Sequence, residues 1–168
     1  MGTVKTKSEA IRAADWIAIV IATAGGAGFA PKAPGTAGSV VGVAIYLLLD
    51  RGGAGGYYLH AIIFFFIVGI WASSRVEHLW GHDAQRIVID EVVGQMITFG
   101  MAAGRYSLSA LYVVLGFGLF RLFDIVKPFP IRRLERFKGG FGVILDDVGA
   151  GLYALAVLTL VQYGSVKL

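Results

Sequence analysis

Six stretches of this chain contain no Asp, Glu, Lys or Arg: Trp16 to Pro31, Ala33 to Leu49, Gly52 to Ser74, Val92 to Gly104, Tyr106 to Phe120 and Val148 to Val166. Charged clusters and Gly or Pro residues separate them, so the pattern predicts up to six helices. Gly52 to Ser74 and Val148 to Val166 approach or exceed the roughly 20 apolar residues that a spanning helix needs, and the shorter runs suit thinned-bilayer crossings, re-entrant segments or helices packed inside a bundle. Apolar residues occur all round these segments, as expected of helices buried in lipid or protein. The fold class expected is all-α, a multi-helix integral membrane bundle of about four to six apolar helices, with the polar site at helix ends on one membrane face.

Composition agrees. At 168 residues, 57% hydrophobic, 15% charged and a mean hydropathy of +0.73, the chain is far more apolar than a soluble domain of this size. No polar or Pro/Ser-rich linker interrupts it, so residues 1–168 read as a single domain. The absence of cysteine removes disulfides, thiolate metal sites and cysteine-nucleophile phosphatase chemistry. Residues Met1 to Ala14 carry Lys5, Lys7 and Arg12, yet no small-residue cleavage pattern follows the apolar run after Trp16, so a retained membrane segment is expected.

If the six runs cross alternately, the junctions at 30–37, 74–91 and 121–147 emerge on one face, and the other face holds both termini with the turns near Arg51 and Arg105. The first face carries Lys32, Arg75, Arg86, Arg121, Lys127, Arg132, Arg133, Arg136 and Lys138, which makes it cytoplasmic by the positive-inside tendency. The five acids singled out as candidates at the edges of apolar runs all fall there too: Asp90, Glu91, Asp124, Asp146 and Asp147. An apolar chain that keeps carboxylates where burial penalises charge points to a partner for them, and a divalent cation is the simplest one.

Three segments carry the chemistry. In PKAPGTAGS, Pro31 to Ser39, two prolines fix a loop, Gly35 and Gly38 let backbone approach a ligand, and Thr36 and Ser39 suit a helix cap that leaves N–H groups for an anion, with Lys32 beside them. A plain helix-connecting turn fits the same residues, and a nucleotide P-loop does not. In GHDAQRIVIDEVVGQ, Gly81 to Gln95, Asp90 and Glu91 point about 100° apart on a helix, but near its N-terminus both can reach one ion. Dipole complementation is the alternative for the pair. His82 and Asp83 are further possible ligands, with a solvated loop histidine as the plainer reading. In FRLFDIVKPFPIRRLERFKGGFGVILDDVGAG, Phe120 to Gly151, Arg121, Asp124 and Lys127 share a helical face before Pro128 and Pro130 end it. Cation, carboxylate and cation in line suit a phosphate held with a metal, and equally a structural ion pair. Gly139, Gly140 and Gly142 then lead to Asp146 and Asp147, either by opening backbone N–H groups to phosphate or by tight helix packing.

Taken in order and with these separations, PKAPGTAGS, IVIDEVVGQ, FRLFDIVKPFPI and GGFGVILDDVGAG resemble the phosphatidylglycerophosphatase A family, bacterial membrane enzymes that remove the terminal phosphate of phosphatidylglycerophosphate. The likeness runs from about Ala27 to Ala154. It implies a Mg²⁺-dependent phosphomonoesterase of the cytoplasmic membrane that makes phosphatidylglycerol in anionic phospholipid synthesis, and the apolar runs and charge bias above add the expectation that it is multi-pass with its site facing the cytoplasm. It also implies catalytic and metal-holding roles for Asp90, Glu91, Asp124, Asp146 and Asp147, and substrate-binding roles for Lys32, Thr36, Ser39, Arg121 and Lys127.

Rival chemistries lack their parts: there is no DxDx[TV] nucleophile motif, no phosphohistidine constellation and no CDP-alcohol phosphotransferase signature. Metal-assisted hydrolysis remains. The partners implied are the lipid substrate and the membrane. An oligomer is compatible with the sequence, and nucleic acid is a poor reading of the +4 charge, because the basic residues border apolar helices. The alternative from another class is a cation transporter or channel lined by the acids, which predicts carboxylates spread through the membrane's depth.

Overall fold

The computed structural model describes residues 13–81, 84–102, 108–134, 137 and 139–166, and no strand occurs among them. The readings placed on His82, Asp83, Arg105, Arg136, Lys138 and the basic residues before Ala13 or after Val166 lie outside the described residues. The helices are α1 (Ala13–Ala22), α2 (Pro34–Arg51), α3 (Tyr58–Trp80), α4 (Ile89–Thr98), α5 (Ala110–Val126), the single turn α6 (Ile131–Leu134) and α7 (Gly140–Val166). Proline opens α2 at its first position, where a missing N–H costs nothing, and Gly81 at φ 93° closes α3.

The shortest of the predicted segments is the hub. In α4 every residue except Glu91 and Ile97 is buried, and its neighbours are α7, α2, α3 and α5. Small residues set how closely it is held. A Cβ added to Gly151 of α7 would collide with the backbone carbonyl of Gly94 in α4, with the Gly94 Cα at 3.2 Å, so the two backbones touch. Gly42 likewise brings α2 onto Val92 and Gln95. Toward the far end, Tyr46 stacks on Phe99 at 4.6 Å, and the Tyr58 hydroxyl donates to the Met96 carbonyl at 2.9 Å.

Apolar side chains also cover the outside. Leu59, Ile63, Phe64 and Ile67 on α3, Leu111, Val114 and Leu122 on α5, and Leu152 and Leu160 on α7 are all exposed, far more than the scattered surface hydrophobes of a soluble domain. Gly55–Trp80 and Gly140–Ser165, 26 residues each, are long and apolar enough to cross a membrane, and they suit the chain to membrane association. The remaining runs form shorter or less apolar helices: α5 has 17 residues, and α1 and α4 have 10 each.

One topological expectation is overturned. The first apolar run does not traverse the bundle. Asp15 near the start of α1 pairs with Arg75 late in α3 at 2.6 Å, while Val20, Ile21 and Ala24 lie deeper, around a small cavity with Phe65, Val41 and Ile45. Ala24, Gly25 and Gly26, at φ 49°, 70° and 103°, then reverse the chain. Phe29 returns beside Trp80, with ring centroids 6.1 Å apart, and Arg86 lies over both rings. Consecutive left-handed residues make this reversal, and glycine adopts them without strain. The start of α1 therefore sits at the end of the bundle where α3 finishes, not at the opposite end.

Candidate active site

Three helices begin and one ends at the same place. Gly35 in the first turn of α2, Asp90 and Glu91 in the first turn of α4, Asp147 in the second turn of α7 and Arg121 near the end of α5 converge there. Carboxylate oxygens of Asp90, Glu91 and Asp147 all lie within 4.8 Å of one another. The helical offset between Asp90 and Glu91 is absorbed because Asp147 approaches from the neighbouring helix. Asp90 is 8% and Asp147 3% exposed. Burial first, and then the charges of Glu91, Asp147 and Asp146, hold the Asp90 carboxyl well above the usual carboxylate range. Burial also raises Glu91, against an opposing hydrogen bond from Asp90.

The cations are placed by helix geometry. Arg121 and Asp124, one turn apart on α5, pair at 2.7 Å, and Asp124 is within hydrogen-bonding reach of Asp147. A second Arg121 contact reaches the Ser39 hydroxyl at 3.5 Å. Lys127 caps α5 in the left-handed conformation at φ 46°, and its ammonium donates to Asp146 Oδ2 at 2.7 Å. A non-glycine residue held there is strained by about 1 kcal/mol or more, and here that conformation accompanies a cation turned back onto the acids.

Among the described residues, seven buried side-chain polar atoms have no hydrogen-bond partner, and four of them belong to these acids: Asp90 Oδ1, Glu91 Oε2, Asp146 Oδ1 and Asp147 Oδ2. Buried carboxylate oxygens left unpartnered and crowded together are costly unless something positive joins them. An all-oxygen set of clustered carboxylates is the donor chemistry of a hard divalent cation. The residues present therefore fit a metal ion at Asp90, Glu91 and Asp147.

Several expectations are refined. All five acids, with Arg121, Lys127 and Ser39, are brought together. Thr36 is half-buried in the first turn of α2, and Lys32 stays exposed in the loop before it without a hydrogen bond or ion pair to a described residue. Neither Thr36 nor Ser39 caps α2: the helix already begins at Pro34, and the Ser39 hydroxyl donates to the Gly35 carbonyl at 3.0 Å. The closeness that Gly35 permits is to Glu91 and Arg121, and that of Gly38 is to Val88. Gly140 opens α7 against α3, where a Cβ would stand 2.6 Å from Ser74 Oγ, so packing accounts for it. The acids converge at one place instead of lining a path through the bundle, which gives no support to a transporter. Gln95 was missed as a site neighbour. It is fully buried one turn below Glu91 with its amide unpartnered, and a polar residue four positions after an acid in an uncharged run was the available signal.

Comparison with known proteins points the same way. The profile described as phosphatidylglycerophosphatase A matches residues 20–162. A Bacteroides thetaiotaomicron protein, provisionally named a phosphatidylinositol-3-phosphatase, is 40% identical over 88% of this chain and 95% of its own length. Phosphatidylglycerophosphatase A of Haemophilus influenzae is 36% identical over 86% of this chain and 88% of its own, and that of Escherichia coli is 31% identical over 86% and 83%. No solved structure matches the chain. With the match spanning every helix that contributes to the acidic pocket, the chain belongs to the phosphatidylglycerophosphatase A family and is a phosphatase.

Proposed function

We propose that this protein hydrolyses phosphatidylglycerophosphate to phosphatidylglycerol and inorganic phosphate, with Mg²⁺, in anionic phospholipid synthesis. The observation that carries the reading is the buried trio Asp90, Glu91 and Asp147, with unpartnered oxygens, beside two cations held in place by Asp124 and Asp146. The whole chain acts as one unit in the bacterial cytoplasmic membrane, crossing more than once, with the acidic pocket facing the cytoplasm. The apolar outer faces of α3, α5 and α7 support the embedding, and the basic residues Arg121, Lys127, Arg132 and Arg133 around the pocket support the orientation.

Asp90, Glu91 and Asp147 would hold the metal, which when bound supplies Lewis-acid polarisation of the phosphoryl oxygens and eases ionisation of a water. The other steps belong to the chain's own residues. Arg121, fixed by Asp124 and Ser39, presents its remaining guanidinium donors to the terminal phosphate, and Lys127, held at Asp146, adds its ammonium. Both offset the charge that grows on the phosphoryl oxygens as the bond to the glycerol oxygen breaks. Water attacks phosphorus, its proton passes to a carboxylate such as Asp146 at the unpartnered Oδ1, and a proton returns to the departing alkoxide.

The Bacteroides relative's name favours a second reading, a phosphoinositide 3-phosphate as substrate. Phosphate release from phosphatidylglycerophosphate, phosphatidylinositol 3-phosphate and phosphatidic acid, presented in identical mixed micelles, decides between them. The proposal expects kcat/KM at least tenfold higher for phosphatidylglycerophosphate. A preference for the inositol lipid would transfer the assignment to it.

A further inference from the structure

The corner where α5 turns into α6 is built more firmly than a surface connection requires. Ile131 is 1% exposed and packs with Phe120, Ala150 and Ala154. A Cβ on Gly149 would stand 3.1 Å from Ile131 and 3.2 Å from Leu134, so α6 lies directly on α7. Tyr153 of α7 donates its hydroxyl to the Phe129 carbonyl at 3.0 Å and sets its ring against Phe123. With Ile131 anchored inward, Arg132 and Arg133 are exposed, and neither pairs with a carboxylate among the described residues. The Arg133 guanidinium lies 4.7 Å from the Phe129 ring centre. Together with Val126, Lys127 and Pro128 these residues line a pocket of about 440 Å³.

We propose that this pocket receives the phosphodiester of an anionic phospholipid, and that the substrate reaches the acids through it, sideways from the bilayer. The proposal deepens the phosphatase reading and rests on it for the identity of the substrate. Lys127 joins the two places, because it lines the pocket while its ammonium is held 2.7 Å from Asp146. In a glycerophosphate lipid the terminal phosphate and the diester phosphate are one glycerol apart. A lipid whose terminal phosphate lies at Lys127 therefore brings its diester to the next cations outward, Arg132 and Arg133, whose planar donors match phosphate oxygens. Its acyl chains then meet Ile125, Val126 and Phe129, which are 71%, 53% and 70% exposed, and continue along the apolar face of α5. A free phosphate would use the guanidiniums and leave that apolar rim without purpose. Cations set beside exposed apolar residues are the arrangement expected where an anionic headgroup meets hydrocarbon.

The test measures binding by calorimetry on the full chain in zwitterionic detergent, with short-chain phosphatidylglycerol, short-chain phosphatidylcholine and inorganic phosphate as separate probes. The wild type should bind phosphatidylglycerol at least tenfold more tightly than either other probe. Arg132→Ala with Arg133→Ala should remove that preference, and Arg86→Ala, a cation stacked elsewhere on Phe29 and Trp80, should keep it. The paired variant should also raise KM for micellar phosphatidylglycerophosphate at least tenfold, a larger factor than any change in kcat. Unaltered binding in the paired variant overturns the proposal, as does loss of the preference in the Arg86 variant alone or equal binding of inorganic phosphate. Binding needs no turnover, so a wild type that binds phosphatidylglycerol selectively but releases no phosphate refutes the phosphatase reading and leaves the docking site standing.

Discussion

Gly35→Ala separates the chemistry of the pocket from the stability of the fold. Gly35 lies at the second position of α2, where alanine is the better helix former by about 1 kcal/mol. Its new Cβ, however, would fall well inside contact distance of Glu91 Oε1, with Glu91 Cδ at 3.1 Å and Arg121 Nη1 at 3.3 Å. Ordinary contact begins at 3.4 Å, so the Glu91 carboxylate must retreat by about 1 Å, a displacement that costs on the order of 100-fold in rate at a positioned group. That is about 2.7 kcal/mol of transition-state free energy. Because the obstacle is the end of a flexible side chain, the fold accommodates the methyl, and thermal unfolding in detergent should stay within a few degrees of wild type. Gly118→Ala on α5, where a Cβ meets nothing within 4 Å, is the matched control and should keep full activity. Phosphate release and Tm, measured on all three proteins, decide the matter. A Gly35→Ala enzyme within twofold of wild type would refute the placement of Glu91 in the chemistry, and loss of activity together with unfolding would refute the steric reasoning.

Removing Lys127 as Lys127→Ala strands Asp146. The pair is partly solvated, so the stability loss should be about 1 to 3 kcal/mol, below that of a fully buried pair, with activity down by about 100-fold. Adding Asp146→Asn should return most of the stability and none of the activity, and equal losses in single and double variants would contradict the pairing. Gly151→Ala drives a methyl into the Gly94 backbone, so Tm should drop with a loss of about 1 to 3 kcal/mol, and an unchanged Tm would contradict the close crossing of α4 and α7. Stability in the presence of chelator should fall as pH rises above the ordinary carboxylate range. The folded-state pKa of Asp90 is raised, so over that window the native state binds more protons than the unfolded one. Asp90→Asn should flatten the slope, as followed by denaturation midpoints between pH 5 and 8, roughly the range where stability usually peaks.

Local patterns in the sequence located the chemistry well because that chemistry depends on helix ends. Arg121 and Asp124, three residues apart, share one face of α5, and Lys127 follows outside the helix at its left-handed cap, where Pro128 stops the helix and the lysine turns back. The acids of α4 and α7 were legible because charge is rare in this chain. What did not show was anything set by tertiary contact. The reversal at Ala24 to Gly26 makes α1 a half-depth segment, and hydropathy reads the same whether such a run crosses or turns back. Ser39 looks like a cap in sequence, yet Pro34 starts the helix earlier and turns the hydroxyl to its own backbone. The burial of α4 on all sides follows from Gly42, Gly94 and Gly151, whose pairing across helices has no signature in one dimension.

The central claim is that a divalent cation held by Asp90, Glu91 and Asp147 drives hydrolysis of the lipid phosphomonoester. Phosphate release from phosphatidylglycerophosphate should be followed for the wild type and Asp147→Asn in detergent, with Mg²⁺ and again with excess chelator. The account predicts turnover in the wild type with Mg²⁺ alone, restored when Mg²⁺ is returned after chelation, and a loss of at least about 100-fold in Asp147→Asn. Release that survives the chelator, or an Asp147→Asn enzyme as active as the wild type, would contradict it.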